Sequence, residues 1–587
     1  MFRIDNRLND IIDMENDREL AQRCEKQMEL YEVSDRPEFT DLTEEQLAQV
    51  DEFWEPYESI YKMDPFVTRY YTNVTGRFDP RYIPEDLQKY LMSRYFMDQD
   101  YVEAFKDKNF TEVILADLAA PKTLIHKIAG TFLNGAYEPI TEDEAVDIIL
   151  EHKKASEGPV VAVIKPTMST SGGSGLVTIG RYTTKNEIRQ MLTSWRPDVV
   201  VQEVIKQHPD LAAIHPESVN SIRVMSLLKN GKCRIVSACL RVGAGGSFAD
   251  NMGRGGMSCG IRPDGTCRAP FYDKHGVRYD KHPGGFEPEG FHVPGFDELI
   301  STIKTHHVRF PQLRLISWDF AIDEGAHPVF IEWNMKGDTQ LHQYGNGPLY
   351  GEDTREILDE FFAHTYKETE QGGIIYREYI NHAEAAGCGD SITELIIAGT
   401  INGKPVTAIT GRAFFQNERI VSLRIDEGVK SIGYQAFFGC RSLKEIKLPQ
   451  SLETIGEAAF SYCSELTSIK TSGSGLKEIC PKAFMACRAL TAAEFGDGLT
   501  KLNYRSFSGC ALLESFTAGN GLKRIEERCF QGCKSLKAFE TTAPKVTVLA
   551  RAFLNCSGFD CTSLIGRCGF IGLHSFKGCI GEPQEEK

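Results

Sequence analysis

The chain has 587 residues, of which 41% are hydrophobic, enough to bury a large core and to form two to four domains. Its formal net charge of -16 at pH 7 is unevenly distributed. Residues 391–587 carry 24 basic and 19 acidic residues, whereas residues 1–390 carry 42 basic and 63 acidic ones. An acidic first part argues against general nucleic-acid binding, which depends on neutralising phosphates.

The N-terminus and the cysteines indicate a cytoplasmic protein. The first ten residues show no basic segment followed by an apolar one, and no run of eighteen apolar residues predicts a membrane span. The cysteines number seventeen, which is odd, and most of them fall in a repeat near the end of the chain. We therefore expect reduced, structural cysteines.

The first predicted elements are helices. Residues 1–105 show helical spacing of apolar residues, as in 42–61 and 84–96, but no recognisable chemistry. We expect this region to be a scaffold or a cap over a substrate. An acidic amphipathic helix at 141–154 follows further along the chain.

A strand predicted at residues 160–166, V-V-A-V-I-K-P, carries Lys165 near its end and runs into T-M-S-T-S-G-G-S-G-L. A Gly/Ser-rich turn offers free backbone N–H groups, and with one fixed positive charge beside it such a turn cradles phosphates. The lysine precedes the glycines, so this is not the Walker pattern. A glycine-rich turn alone is equally compatible with a simple hairpin.

A helix predicted at residues 184–195 leads to another strand, V-V-V-Q-E-V-I, at 199–205. A strand edge of this kind suits an adenine base, with backbone groups reading its edge and Val204 and Ile205 covering its face. This signal is weak by itself.

Two alternating strands and a glycine-rich turn, within residues 219–256, carry Arg223, Arg241, Asn251 and Arg254. Arginines on strands are more often solvated or paired than catalytic. These arginines lie between a predicted phosphate loop and a predicted metal site, so we expect them to clamp developing phosphoryl charge.

Two β-rich runs, residues 315–322 and 328–333, are joined by a polar turn. Asp319 interrupts the first run, and Glu332 and Asn334 end the second on one face. Three hard oxygen donors on adjacent strands suit Mg²⁺. Acidic residues at strand ends are usually only solvated, so the metal interpretation depends on the motifs upstream.

Taken in order, these motifs resemble the ATP-grasp superfamily: D-K at 107–108, P-K-T at 121–123, strand-Lys-Pro, the Gly-rich loop, Q-E-V-I, N-M-G-R-G-G and E-W-N. More narrowly, F-D-P-R-Y-I-P-E-D-L, V-N-S-I-R-V and R-V-G resemble the sugar-transfer-associated ATP-grasp family, over about residues 50–365. The resemblance implies an α/β (α+β) ATP-grasp fold, after a helical N-terminal region, with ATP held between two lobes.

The resemblance also implies roles for the matching residues. Lys108 and Lys165 would contact the ATP phosphates, beneath a loop formed by Ser171, Gly172, Gly173, Ser174 and Gly175. Gln202, Glu203 and Ile205 would line the adenine site, and Asp210, displaced from the family's usual position, would contact the ribose. Asp319, Glu332 and Asn334 would hold two Mg²⁺ ions. Asn251, Arg254 and Arg241 would form the acyl-phosphate site, with Arg223 as a further catalytic candidate.

The end of the chain is a repeat. Eight phenylalanines recur every 23 or 24 residues, and a cysteine follows three residues after each one except the first, where Asn417 takes its place. Alternating Leu and Ile with an Asn/Cys column resemble leucine-rich repeats of the BspA-like class. The phenylalanines are Phe414, Phe437, Phe460, Phe484, Phe507, Phe530, Phe553 and Phe576.

We therefore predict a helical region at residues 1–105, an ATP-grasp catalytic domain at 106–370, a linker at 371–390 and a solenoid of about eight repeats at 391–582. The expected enzyme is an ADP-forming carbon–nitrogen ligase that uses ATP and Mg²⁺ to join a carboxylate to an amine through an acyl phosphate. The repeats would recruit a peptide, protein or glycan acceptor. The alternative is a non-catalytic ATP-binding scaffold, or an interaction module built on the repeats.

Overall fold

The structure, a computed structural model, describes residues 2–4, 39–168, 176–194, 198–245, 250, 252–335, 339–471 and 475–583. The chain divides into two compact units: residues 6–361 form one, and residues 1–5 with 362–587 form the other. Strand β1 (Phe2–Ile4) belongs to the second unit. The first unit is therefore inserted in the chain between two segments of the second.

The first unit begins with helices, as the sequence predicts. Helix α1 (Glu44–Trp54) starts at a capping box, in which Thr43 and Gln46 each accept a hydrogen bond from the backbone N–H of the other. The remaining elements of this region are helix α2 (Pro65–Thr75), a π-helical turn (Leu87–Met92) and helices α3 (Ser93–Phe96), α4 (Gln99–Phe105) and α5 (Lys108–Ile114).

The smaller sheet of this unit has six antiparallel strands in the order β4-β3-β2-β7-β5-β6. Helices α6 (Glu142–Ala155) and α7 (Lys185–Ser194) bury their apolar faces in the same core as these strands. The strands are β2 (Thr123–Ile128), β3 (Thr131–Asn134), β4 (Pro139–Ile140), β5 (Val160–Pro166), β6 (Val177–Gly180) and β7 (Val199–Glu203).

The larger sheet has seven antiparallel strands in the order β12-β11-β10-β9-β8-β13-β14, around a core that includes Trp318 and Phe320. Its strands are β8 (Ser221–Lys229), β9 (Lys232–Val242), β10 (Met257–Ile261), β11 (Phe271–Tyr272), β12 (Arg278–Tyr279), β13 (Leu315–Ile322) and β14 (Pro328–Asn334). The accompanying helices are α8 (Pro209–Ala212), α9 (Phe296–His307), α10 (Thr339–Asn346) and α11 (Thr354–Ala363).

The second unit opens with an antiparallel segment, β15 (Thr365–Gln371), β16 (Ile374–Glu378) and β17 (Ala383–Cys388), and β1 pairs with β15. Residues 371–390, which the sequence analysis assigned to a linker, therefore form part of a sheet. The physical reason is that β17 pairs in parallel with the first long repeat strand, so this segment covers the edge of the repeats.

The repeats form a solenoid of short strands, most of them paired in parallel with the next repeat. The predicted phenylalanine column is present: the rings of Phe437, Phe460 and Phe484 are buried and stack with centroids 5.0 and 5.2 Å apart. The elements are β18 (Glu394–Ile397), β19 (Thr400–Ile401), β20 (Lys404–Ile409), β21 (Ser422–Ile425), β22 (Ser431–Ile432), β23 (Glu445–Lys447), β24 (Thr454–Ile455), β25 (Ser468–Thr471), β26 (Glu478–Ile479), β27 (Ala492–Phe495), β28 (Lys501–Leu502), β29 (Ser515–Ala518), β30 (Arg524–Ile525), β31 (Ala538–Thr541), β32 (Val546–Val548), α12 (Thr562–Ile565) and β33 (Cys568–Ile571).

The cysteine column is a hydrogen-bonded ladder. The Cys463 thiol donates to the Phe437 carbonyl at 3.2 Å, and the Cys487 thiol donates to the Phe460 carbonyl at 3.1 Å. Each such thiol is a second donor to a buried carbonyl of the preceding repeat, which also accepts from a backbone N–H of its own turn, so the column links neighbouring repeats. Among the residues that the structure describes, no helix is both long enough and apolar enough to cross a membrane.

Candidate active site

A row of polar side chains lies on one face of the larger sheet. In the antiparallel register, Asp319 on β13 is opposite both Arg223 on β8 and Glu332 on β14. Asn334 follows Glu332 by two residues and so shares its face, and Arg241 on β9 joins the row opposite Ser221. The strand pattern thus brings together predicted residues from two pairs of consecutive strands, β8–β9 and β13–β14, that are far apart in sequence.

Asp319 is the centre of this row. Its carboxylate is buried and accepts from Arg223 Nε at 2.7 Å, from Arg223 Nη2 at 2.6 Å and from Arg241 Nη1 at 3.1 Å. Burial alone would raise the pKa of Asp319, but the two guanidinium groups outweigh it and hold the pKa below its usual value. The carboxylate is therefore charged, and it fixes both arginines.

Two further side chains lie beside the arginines, Asp250 and His342, and neither was predicted from the sequence. Asp250 accepts from Arg241 Nη2 at 3.4 Å and from the Ser221 hydroxyl, and its burial raises its pKa. His342 on α10 is buried beside the arginines, and burial, reinforced by Arg223, lowers its pKa to about 3. The only feature of the sequence that could have indicated Asp250 is its position directly before Asn251. No feature of the sequence indicates a role for His342.

The two predicted phosphate-binding lysines lie near Glu332. Lys108 Nζ is 3.2 Å from Glu332 Oε2, and the Lys108 N–H donates to the carbonyl of Thr167, just past the end of β5, at 2.9 Å. Lys165 Nζ donates to Gln202 Oε1 at 3.0 Å. Desolvation lowers the pKa of Lys165 to about 8, against the opposing effect of the Glu332 carboxylate.

The predicted adenine strand is tied to the start of β2. The Glu203 N–H donates to the Lys122 carbonyl at 3.0 Å, and Glu203 Oε1 accepts from the Lys122 N–H at 3.3 Å. Ile205 is partly buried just beyond β7. Asp210 lies in the first turn of α8, and its side chain is 67% exposed.

A cavity of about 660 Å³ opens beside these groups. Three predicted residues, Lys108, Gln202 and Glu332, line it, whereas Lys165, Asp210 and Asp319 do not. Its other walls combine apolar side chains with a few polar ones, the usual character of a small-molecule site. They include Leu115, Leu124, Ile331, Trp333, Glu112 and Thr123.

Known families are similar to two parts of the chain. Residues 88–355 match the family described as sugar-transfer associated ATP-grasp. This part of the chain is therefore similar to ATP-grasp domains, and we call it the ATP-grasp domain after that similarity. Residues 389–510 and 471–581 match the BspA type leucine rich repeat region, in six copies. No curated protein matches the chain significantly.

Solved structures resemble both parts of the chain. A leucine-rich repeat protein from T. pallidum is 24% identical, with a TM-score of 0.30, over 37% of this chain and 92% of its own. The VanG D-Ala:D-Ser ligase from Enterococcus faecalis is 14% identical, with a TM-score of 0.27, over 44% of this chain. The ATP-grasp ligase PsnB is 13% identical, with a TM-score of 0.27, over 46%. The chain spans 61% and 64% of these two ligases.

Some predicted residues of the ATP-grasp domain lie outside the described residues. These are the loop residues Ser171, Gly172, Gly173, Ser174 and Gly175, together with Asn251. Arg254 is the last residue of a short 3-10 helix, Met252–Arg254, of which the structure describes the backbone but not the Arg254 side chain.

The donor set of the ATP-grasp domain fits a hard cation such as Mg²⁺. Glu332 offers a partly exposed carboxylate, and Asn334 an amide oxygen. Asp319 already accepts from two arginines, and Asn334 Nδ2 lies 3.3 Å from its Oδ2, so its carboxylate retains little free capacity. Among the described residues, no three His, Cys, Asp or Glu side chains converge as a metal cluster.

Proposed function

We propose that the ATP-grasp domain is an ATP- and Mg²⁺-dependent carbon–nitrogen ligase that joins a carboxylate to an amine and releases ADP and phosphate. The observation that carries the proposal is the meeting of two lysines and two arginines with Asp319, Glu332 and Asn334 beside one cavity. Phosphoryl transfer needs little covalent chemistry from the protein, and such a set supplies the positioning and the charge.

In this proposal the cavity receives the nucleoside. Its apolar walls, Leu124, Ile331 and Trp333, suit the faces of a base, and Lys108 marks the wall toward which the phosphates extend. Lys165, held by Gln202, adds the second ammonium group. Mg²⁺, when bound, would be held by Glu332 and Asn334, and it would offset the negative charge of the phosphates.

The reaction follows from these charges. An oxygen of the substrate carboxylate attacks the γ-phosphorus, the bond to the β-γ bridging oxygen breaks, and ADP departs. The nitrogen of the amine then attacks the acyl carbon, phosphate leaves, and the amine loses a proton as the amide forms. Arg223 and Arg241, fixed by Asp319, are placed to stabilise the charge that develops on the transferred group.

The solenoid, in turn, recruits the acceptor. Stacked repeats present an extended surface, which is the usual basis of peptide and protein binding by such folds. A peptide, a protein or a glycan is the class of acceptor that we assign to it.

Release of ADP and phosphate from ATP and Mg²⁺ tests this function, with pools of amino acids, peptides and amino sugars offered to the full chain. We expect one pool to stimulate release in the wild type but not in Lys165→Ala or Glu332→Gln. No stimulation by any pool, in a protein that binds ATP, would favour the non-catalytic scaffold instead.

A further inference from the structure

A chain of hydrogen bonds leads away from Lys165 along the wall of the cavity. Lys165 Nζ donates to Gln202 Oε1 at 3.0 Å, and Gln202 Nε2 donates to Thr123 Oγ1 at 3.1 Å. The Thr123 hydroxyl then donates to the carboxylate of Glu112 on α5. Gln202, Thr123 and Glu112 all line the cavity.

The direction of every link is fixed by its two ends. An ammonium group can only donate, so Gln202 turns its carbonyl oxygen toward Lys165 and its amide nitrogen toward Thr123. The Thr123 hydroxyl therefore accepts from Gln202 and has its proton left for Glu112. A carboxylate only accepts, so it closes the chain. One reversed amide would break two bonds at once.

The far end of the chain is held in place. Glu112 Oε2 lies 3.4 Å from the Tyr137 hydroxyl and 3.7 Å from His126 Nε2, and the His126 ring stacks on Tyr137. The turn after β3 approaches the backbone of Thr123 so closely that a side chain at Gly135 would overlap the Thr123 carbonyl oxygen. Glu112 and Thr123 are therefore both packed against neighbouring groups.

We propose that Thr123 and Glu112 are positioning residues that act through Gln202 to hold Lys165 toward the nucleotide phosphates. The inference rests on the proposed nucleotide site, and it gives a role to the P-K-T motif that the reaction itself does not use. In this role the chain acts through the lysine, so its loss should weaken the binding of ligands that carry phosphates much more than the binding of a nucleoside.

The test is a cycle of ADP affinities measured by calorimetry on the full chain. Thr123→Val keeps the shape of the side chain but removes both of its links, and we expect about tenfold weaker ADP binding, the size of a bond to a charged group. Thr123→Ser restores the hydroxyl and should restore the affinity. In a Lys165→Ala background, Thr123→Val should change ADP affinity less than twofold.

Equal losses in both backgrounds would overturn the inference, as would a parallel loss of adenosine affinity, because either result would mean that Thr123 only supports the cavity. Glu112→Leu provides an independent variant with the same expectation. Failure of the wild type to bind ADP would instead refute the proposed nucleotide site. The cycle requires no turnover, so its outcome does not depend on finding the acceptor.

Discussion

The two units bury different chemistry. In the solenoid, the interior repeats one set of side chains, so Phe460 and Phe484 meet almost identical surroundings and stack with an interplanar angle of 0°. In the ATP-grasp domain, the larger sheet buries the carboxylate of Asp319 between two arginines. The first arrangement stabilises a fold by repetition. In the second arrangement, the Asp319 carboxylate holds two arginines in place. Four predictions test the difference between the two units.

The largest effect should follow from breaking the phenylalanine column. Phe484→Ala removes a fully buried ring that is stacked on both sides, and we expect the solenoid to lose about 3–5 kcal/mol of stability. Peptide-resolved hydrogen exchange would localise the loss. Tyr462→Ala, on a 43% exposed ring, is the matched control and should cost far less. Equal losses in the two variants would contradict the column as the source of stability.

Removal of the Asp319 carboxylate should destabilise the ATP-grasp domain in a different way. Asp319→Ala leaves two buried guanidinium groups without their counter-ion, and we expect a loss of about 3–5 kcal/mol that is confined to this unit. Glu332→Gln is the control, because its partly exposed pair with Lys108 contributes about 0–1 kcal/mol. Hydrogen exchange in β8 and β13 would report the difference. Normal protection in Asp319→Ala would rule out this account.

The lowered pKa of Lys165 predicts a pH dependence. Below about pH 8 the lysine is protonated and attracts phosphates, whereas above that value it becomes neutral, so ADP affinity should fall by up to about tenfold per pH unit. Lys165→Arg keeps its charge and should give a flat profile. Calorimetry between pH 7 and pH 9 measures both. A flat wild-type profile would show that the lysine keeps its proton.

The smallest effect concerns the thiol ladder. Burial raises the pKa of the Cys440 thiol, a member of the ladder, to about 12, so few thiolates exist at pH 8 and alkylation of the folded solenoid should be slow. Mass spectrometry after iodoacetamide treatment would show this. Cys487→Ala should cost about 1 kcal/mol or less, because it removes one of the two donors to the Phe460 carbonyl and leaves the Cys463 N–H, whereas Cys487→Ser should cost less still. Rapid labelling of folded protein would contradict the ladder.

The elements that could be predicted from the sequence are those marked by a regular repeat of residues or by a run of apolar residues along a strand. The phenylalanine period found the solenoid, and the apolar runs found β5, β13 and β14 to within a residue. The predicted linker at 371–390 was wrong, because its strands are recognisable only by their pairing with the repeats. A local pattern gives no information on such a partner.

The candidate site was less predictable than the fold. Lys165, Asp319 and Glu332 were proposed as site residues from their positions within or near the ends of strands and from the resemblance, and their roles stay predictions. The pairing of the Asp319 carboxylate with two arginines was not predicted, because Arg223 and Arg241 lie on other strands. Only the register of the strands determines the distances between these side chains. Glu112 gave no signal at all, since a single glutamate on a helix is normally solvated.

Strand β1 has a consequence for the order in which the chain folds during synthesis. Phe2 pairs with Lys367, so β1 must wait for its partner strand until the residues between them have been synthesised. At about 5–20 residues per second, the delay is on the order of half a minute. Over that time the ATP-grasp domain, which lies between the two strands in sequence, can fold before β1 joins its sheet.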